Sequence, residues 1–391
     1  MRISGEDFAV PKKPAVEHWT DRQHTSSWRR ELQVWELVLL VAVGGVLFDI
    51  TQRAFSGWHT VVADFGDNAA YLQAAKAIRE WNFRSIDIQH FMGYPYAIAA
   101  VSLLFHLPLE LTLLLIASVA SLISTLLVAS LFGMRVAGYF ALTNLMWLQA
   151  SFLGGSEPLA VALAMGGFWS FRKDHPLWAA LLLSLATTVR PLMVFGLVGI
   201  GLVLLYQKRY AKFLGAFCLG LAIGLLYVWP LAHYFGDPFL TVHSYTSRDY
   251  GAANVHGPHG HLFGWPFHAI IVGTLVYPAP WTNLVLSFSW IALVLAGVWA
   301  MFSRDYRRYA WANPHEAVFV SLFLIAIFCY DYLIWARSNF MRFSIPVMPF
   351  VFFALRRWLP EDRRILWFIG MLASFLAACS AIGIRNVFHF R

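Results

Sequence analysis

The sequence predicts an all-α polytopic membrane protein, and three observations predict it. Hydrophobic residues make up 59% of the 391 residues and charged residues only 13%, against about a quarter charged in soluble domains. Separate apolar runs repeatedly reach the roughly 17 to 25 residues that cross a bilayer as helix. Tryptophans gather near the ends of those runs, at Trp35, Trp58, Trp147, Trp229, Trp281 and Trp367, as an interfacial aromatic belt requires. A transmembrane β-barrel would show short alternating segments instead.

Two parts follow. Residues 1–33 form a polar, basic tail with Lys12, Lys13, Arg22, Arg29 and Arg30, expected on the cytoplasmic side and without a cleavable signal peptide. Residues 34–391 form a single transmembrane domain. Its first helix spans about Val34 to Phe55 and leads into a first outer loop, 56–91. The apolar region from Met92 to Phe132 is divided by Pro108. Val136–Phe152 and Pro158–Phe171 follow, then two shorter helices, Leu177–Val189 and Leu192–Tyr206, with Arg190-Pro191 between them. Another helix ends near Phe235 and opens a long outer loop, 236–266, rich in Gly, His and Tyr. Phe267–Val276 is too short to span. Trp281–Phe302, Ala317–Trp335, Phe340–Phe353 and Ile365–Gly383 complete a bundle of about 12 (11 to 13) crossing helices by apolar run length. Charge parity does not close over this count: either one segment between Met92 and Phe152 does not cross, or the helix boundaries there are displaced.

The net charge of +8 speaks for basic cytoplasmic loops and anionic lipid rather than nucleic acid, since no basic patch interleaved with aromatics is present. Cys218, Cys329 and Cys379 all lie within apolar runs and read as small hydrophobes, not as a disulfide framework. His256, His259 and His261 are spaced unlike a zinc site and have no cysteine nearby. No metal ligands are assigned. A divalent cation held by Asp64 or Asp67 with a lipid phosphate stays open, but no cofactor is required.

The polar groups that a membrane would not tolerate idly carry the chemistry. Asp64 and Asp67 precede a short amphipathic helix with Tyr71, Leu72, Ala75 and Ile78 on one face. Asp67 is placed either to cap that helix or to act. Glu157, after Gly154-Gly155-Ser156, is a helix cap, a ligand for a sugar hydroxyl or a partner for an arginine. Arg190 either snorkels to headgroups or binds a phosphate on a lipid. Arg342, before Pro346, is a second phosphate candidate.

The order of these pieces resembles the GT-C superfamily of integral-membrane glycosyltransferases, among them ArnT-type and protein O-mannosyltransferase enzymes and the GPI-type and phosphatidylinositol mannosyltransferases. Gly66-Asp67 with Tyr71-Leu72 and Ala75, then Gly93-Tyr94-Pro95, Ser156-Glu157-Pro158-Leu159, Arg190-Pro191, and Arg342 with Pro346 carry the likeness. The resemblance implies a mannosyltransferase-like enzyme of the cell envelope. It implies inverting transfer of a sugar from a polyprenyl-phosphate donor to a hydroxyl of a lipid, glycan or protein, without nucleic acid. Asp67 is then the general base, with Asp64 as the other candidate. Arg190, Arg342, Arg248 and His243 would meet the leaving phosphate. Glu157, Tyr71 and Tyr94 complete the donor site. The site would face the periplasm or exterior of a bacterial plasma membrane. A flippase of lipid-linked sugars and a polysaccharide ligase or polymerase are the alternatives.

Overall fold

A computed structural model describes residues 32–56, 62, 65–86, 90–247, 263–276, 279, 281–331 and 333–387. Asp64, Arg248, His256, His259 and His261 lie outside the described residues.

The described chain is helical apart from one isolated antiparallel bridge, Phe263 to Tyr330. Helix α1 (Val34–Ser56) leads into α2 (Asn68–Arg79), and α3 (Gly93–Phe105) folds back along α2. Three-residue-spaced Tyr71, Ala74 and Ala77, with Ala75, bury the inner face of α2, while Leu72 and Ile78 are half-buried and Gln73 and Lys76 stay outside. The long α4 (Leu109–Phe132) starts after Pro108 and stops at Gly133, which adopts φ +94°. Then come α5 (Met134–Thr143), α6 (Leu145–Leu153), α7 (Glu157–Arg172), α8 (Pro176–Val189), α9 (Val194–Tyr206) and α10 (Tyr210–Phe235). The second half holds α11 (Leu240–Ser247), α12 (His268–Val276), α13 (Trp281–Met301), α14 (Arg304–Ala312) and α15 (Pro314–Cys329). Four further helices close the chain: α16 (Leu333–Ser338), α17 (Phe340–Phe343), α18 (Met348–Leu355) and α19 (Arg363–Val387). One large core runs through most of them, with Trp147, Phe140, Phe168, Phe319 and Phe350 fully buried.

The expected GT-C-like bundle of about 12 transmembrane helices is overturned. Among the described residues five helices are long and apolar enough to cross a membrane: Val34–Ala54, Leu109–Phe132, Tyr210–Phe235, Asn283–Met301 and Arg363–Ala381. There are six if α14 and α15, bent by 114° at their junction, count as one span. Leu221, Leu225, Leu226 and Trp229 of α10 are all exposed, an apolar surface suited to lipid. The chain is therefore membrane-associated.

Apolar run length exceeds helix length because the backbone breaks inside the runs. Asn144 breaks the run from 134 to 153: its backbone is extended, its side chain accepts from Trp147 N at 3.1 Å, and it donates to the Met341 carbonyl at 3.2 Å. Arg190 is extended before Pro191. At 1.5 Å per residue, the thirteen residues of α3 reach about 20 Å, short of a hydrocarbon core of about 30 Å. Between Met92 and Phe152 only α4 has the length of a span, while α3, α5 and α6 are all shorter.

Candidate functional site

Asp67, Glu157, Arg190 and Arg342 meet at one place, where α2 and α7 begin, α8 ends and α17 passes. Three local features build it. Gly66 takes φ +52°, a left-handed turn that glycine adopts freely, and a Cβ there would sit 3.5 Å from Arg342 Nη1. Asn68, fully buried, donates to the carbonyls of Val62 at 2.7 Å and Leu153 at 2.6 Å, pinning the turn to the end of α6. Gly154 ends α6 at φ +93°, and any Cβ there would collide with Leu113.

Asp67 stands at the N-cap of α2 but makes no side-chain cap bond. Its Oδ2 accepts from Arg342 Nη2 at 2.8 Å and from the Tyr71 hydroxyl at 3.4 Å, and its Oδ1 lies 3.8 Å from His90 Nε2. The carboxylate is therefore aimed at cations rather than at its own helix. Burial pushes its pKa up, but Arg342, His90 and Arg190 outweigh burial and hold the carboxyl well below the usual range. Arg342 bridges two acids, since its Nε also donates to Glu157 Oε1. Arg190 Nη2 donates to the same Glu157 oxygen.

Two atoms of this cluster have no hydrogen-bond partner although buried: Glu157 Oε2 and Arg190 Nε. Glu157 is almost wholly enclosed, while the side chains of Asp67 and Arg190 are about a quarter exposed. The cluster thus opens to solvent on the side of Asp67 and Arg190. The Tyr71 hydroxyl also meets Ser156 Oγ at 3.2 Å, and burial first, then Asp67, push its pKa up to about 12, so it is a neutral donor. Tyr94 stacks edge-on against Tyr71, ring centroids 5.2 Å apart, with its hydroxyl committed to the carbonyls of Leu113 and Gly154. It braces the wall. His243 sits on α11 with Nδ1 2.7 Å from Asp237. Ser156 belongs to the Ser156-Glu157-Pro158-Leu159 turn, whereas His90 and Asn68 carry no motif of their own; His90 lies near the Gly93-Tyr94-Pro95 start, the one available signal.

Among the described residues no group of three or more His, Cys, Asp or Glu could hold a metal ion. Asp67 itself faces Arg342, His90 and Arg190, a surrounding that works against a divalent cation at that carboxylate.

No family model, no curated protein and no solved structure matches the chain. Together with the five membrane-length helices, this overturns the assignment to the GT-C superfamily, and the mannosyltransferase identity that the resemblance implied goes with it.

Proposed function

We propose that the chain is a membrane-bound transferase that moves a group from a lipid-linked phosphate to an acceptor hydroxyl at the membrane–water boundary. The observation that carries this reading is a carboxylate held among cations beside two buried polar atoms, Glu157 Oε2 and Arg190 Nε, without partners. Buried polar atoms without partners are rare and costly, so a ligand that satisfies both is the economical explanation.

In this reading Asp67 takes the proton of the acceptor hydroxyl, and the oxygen attacks the carbon bonded to the donor phosphate. The carbon–oxygen bond to phosphate breaks, and its electron pair leaves with the phosphate. Arg342 and Arg190 neutralise the charge that grows there. A single displacement inverts the carbon. We propose a sugar as the cargo, because its hydroxyls could donate to Glu157 Oε2, and a polyprenyl phosphate as the carrier. Asp67 is a weak base while Arg342 grips it. A donor phosphate competing for Arg342 would raise its basicity, so chemistry waits for the donor. A site opening toward the exterior of a bacterial plasma membrane agrees with the basic residues of the amino-terminal tail.

The test uses the protein in nanodiscs loaded with the polyprenyl-phosphate-linked sugars extracted from bacterial membrane, with release of free polyprenyl phosphate followed by mass spectrometry. Asp67→Asn should slow release about 10²- to 10⁴-fold while still binding undecaprenyl phosphate. Turnover that survives in a folded Asp67→Asn protein defeats the proposal. Asp64→Asn, run alongside, decides between the two aspartates.

A further inference from the structure

The two unpartnered atoms of the Asp67 cluster are of opposite kind, and that difference specifies the chemistry that fits them. Arg190 Nε has a hydrogen to donate, and Glu157 Oε2 has lone pairs to fill. They belong to side chains that already meet, since Arg190 Nη2 donates to Glu157 Oε1. Arg342 Nε donates to the same oxygen, so both arginines are fixed on Oε1 and Oε2 is left over. The Glu157 side chain is only 4% exposed. Beside Oε2 stands a glycine: a Cβ on Gly155 would sit 2.7 Å from it. Any side chain at 155 would crowd the oxygen that has no partner. A phosphate oxygen only accepts. Placed here it would satisfy Arg190 Nε and set its own lone pairs against those of Oε2. A hydroxyl both donates and accepts, so it satisfies both atoms.

We propose that Glu157 Oε2 and Arg190 Nε bind a free hydroxyl of the transferred sugar, the one on the carbon next to the reacting carbon, and so select the cargo. This rests on the transferase reading and adds which substrate atom these two valences meet. Arg342 fixes the position. Its Nε reaches Glu157 and its Nη2 reaches Asp67 Oδ2 at 2.8 Å, so the proton-accepting carboxylate and the hydroxyl niche stand one guanidinium apart. An acceptor oxygen on Asp67, the carbon it attacks, and the neighbouring carbon with its hydroxyl make a chain of comparable length. In glycoside chemistry a hydrogen bond to that hydroxyl strengthens as charge develops on the reacting carbon. A carboxylate oxygen is the acceptor that gains most from it, because hydrogen bonds to ionised groups are the stronger ones.

The experiment is competition against labelled undecaprenyl phosphate on the full chain in nanodiscs. The competitors are undecaprenyl phosphoryl glucose, undecaprenyl phosphoryl mannose and the 2-deoxyglucose form, which lacks the hydroxyl in question. In the wild type the tighter of the two hexoses should bind about 10-fold or more better than the 2-deoxy lipid. Glu157→Gln should bring that ratio to within about twofold. Both arginines demand an acceptor at Oε1, which puts the amide nitrogen where Oε2 was, and a donor then faces the sugar hydroxyl. Arg190→Lys keeps the charge, loses Nε and should also shrink the ratio. The ratio is the readout, so a general loss of phosphate binding does not imitate the effect. Thermal unfolding checks that each variant is folded, and Arg190→Lys carries the comparison if Glu157→Gln is not. A wild-type ratio near one means that the niche holds water only and overturns the proposal, as does a full ratio in a folded variant. No displacement by any sugar lipid overturns it too. Turnover with a ratio near one removes the sugar niche and leaves the transferase reading standing. A ratio that collapses as expected in a protein that releases no polyprenyl phosphate does the reverse.

Discussion

Helix α7 carries an ion cluster at each end, and the two differ in how their arginines and acids are shared. At its last turn Arg172 is saturated. Its Nε and Nη2 donate to the two Glu316 oxygens at 2.6 and 2.8 Å, Nη1 to the Leu131 carbonyl at 3.1 Å and Nη2 to the Tyr309 hydroxyl at 2.8 Å. The rings of Phe132 and Tyr309 cover its guanidinium at 5.5 Å. At the first turn Glu157 spends one oxygen on two arginines and leaves the other bare, and Arg190 keeps an unused buried N–H. With every nitrogen of its guanidinium bonded inside the protein, Arg172 braces α4, α7 and α15. A cluster with open valences, beside a partly exposed carboxylate, is built to receive something. Neither burial nor the unmet atoms alone separate the two, since His315 Nε2 and the Tyr306 hydroxyl beside Glu316 are also buried without partners; the first-turn end differs in holding a second carboxylate, Asp67, that is about a quarter exposed.

The largest effect expected from this difference is on stability. Glu316→Ala strands Arg172 in the core and should lower stability by about 3–5 kcal/mol, the usual result of removing one member of a buried pair. Glu316→Gln should recover part of it. Glu157→Gln, in the cluster that holds the partly exposed Asp67, should lower the melting temperature less than Glu316→Gln does. Thermal unfolding in one detergent measures all three, and equal losses for Glu157→Gln and Glu316→Gln would erase the distinction between brace and site.

Next in size is ligand affinity. Arg342→Ala should weaken binding of undecaprenyl phosphate about 30-fold or more, the effect of removing one partner of a buried charge pair. Arg172→Ala, in whatever fraction stays folded, should leave that affinity within about twofold. Scintillation proximity with labelled undecaprenyl phosphate reads both, and equal weakening by the two changes would mean that neither end is specific for the ligand.

The same contrast shows what could be read from sequence. Asp67, Glu157, Arg190 and Arg342 stood out because each interrupts apolar sequence, and the fold brings all four together across separations of up to 275 residues. Arg172 carried the same kind of signal but sat in Arg172-Lys173-Asp174-His175, where it passed for one of several loop charges. Its partner Glu316 was a lone acid two residues after Pro314, at the head of an apolar run, and that could have marked it. In helix α14 the charges Arg304, Arg307 and Arg308 hide an amphipathic pattern in which Tyr306 is buried and Tyr309, three residues on, is half-buried. The helical fold class was legible in composition. The number of crossings was not, because hydropathy sums over residues and is blind to a backbone break at Asn144 or Arg190. Those breaks are fixed by hydrogen bonds and by a following proline, not by polarity averaged over a window.

The smallest effect, and the most diagnostic of how the Asp67 end is wired, lies in the pH dependence of stability. With Arg342, His90 and Arg190 around it, the folded Asp67 carboxyl binds its proton less tightly than the unfolded chain does, whose ordinary value is 3.8. A carboxyl whose pKa is lowered on folding adds stability that is complete above the unfolded value and is lost as pH falls toward the folded one. The gap in melting temperature between wild type and Asp67→Asn should therefore shift modestly through the range where His90 takes up its proton and close progressively below about pH 4. Arg342→Gln removes the nearest cation, so its own acid limb should begin at higher pH than that of the wild type. A gap that stays flat down to pH 3 would mean that Asp67 is not ionically coupled to Arg342 in the folded protein, and the difference between the two ends of α7 would then be one of burial only.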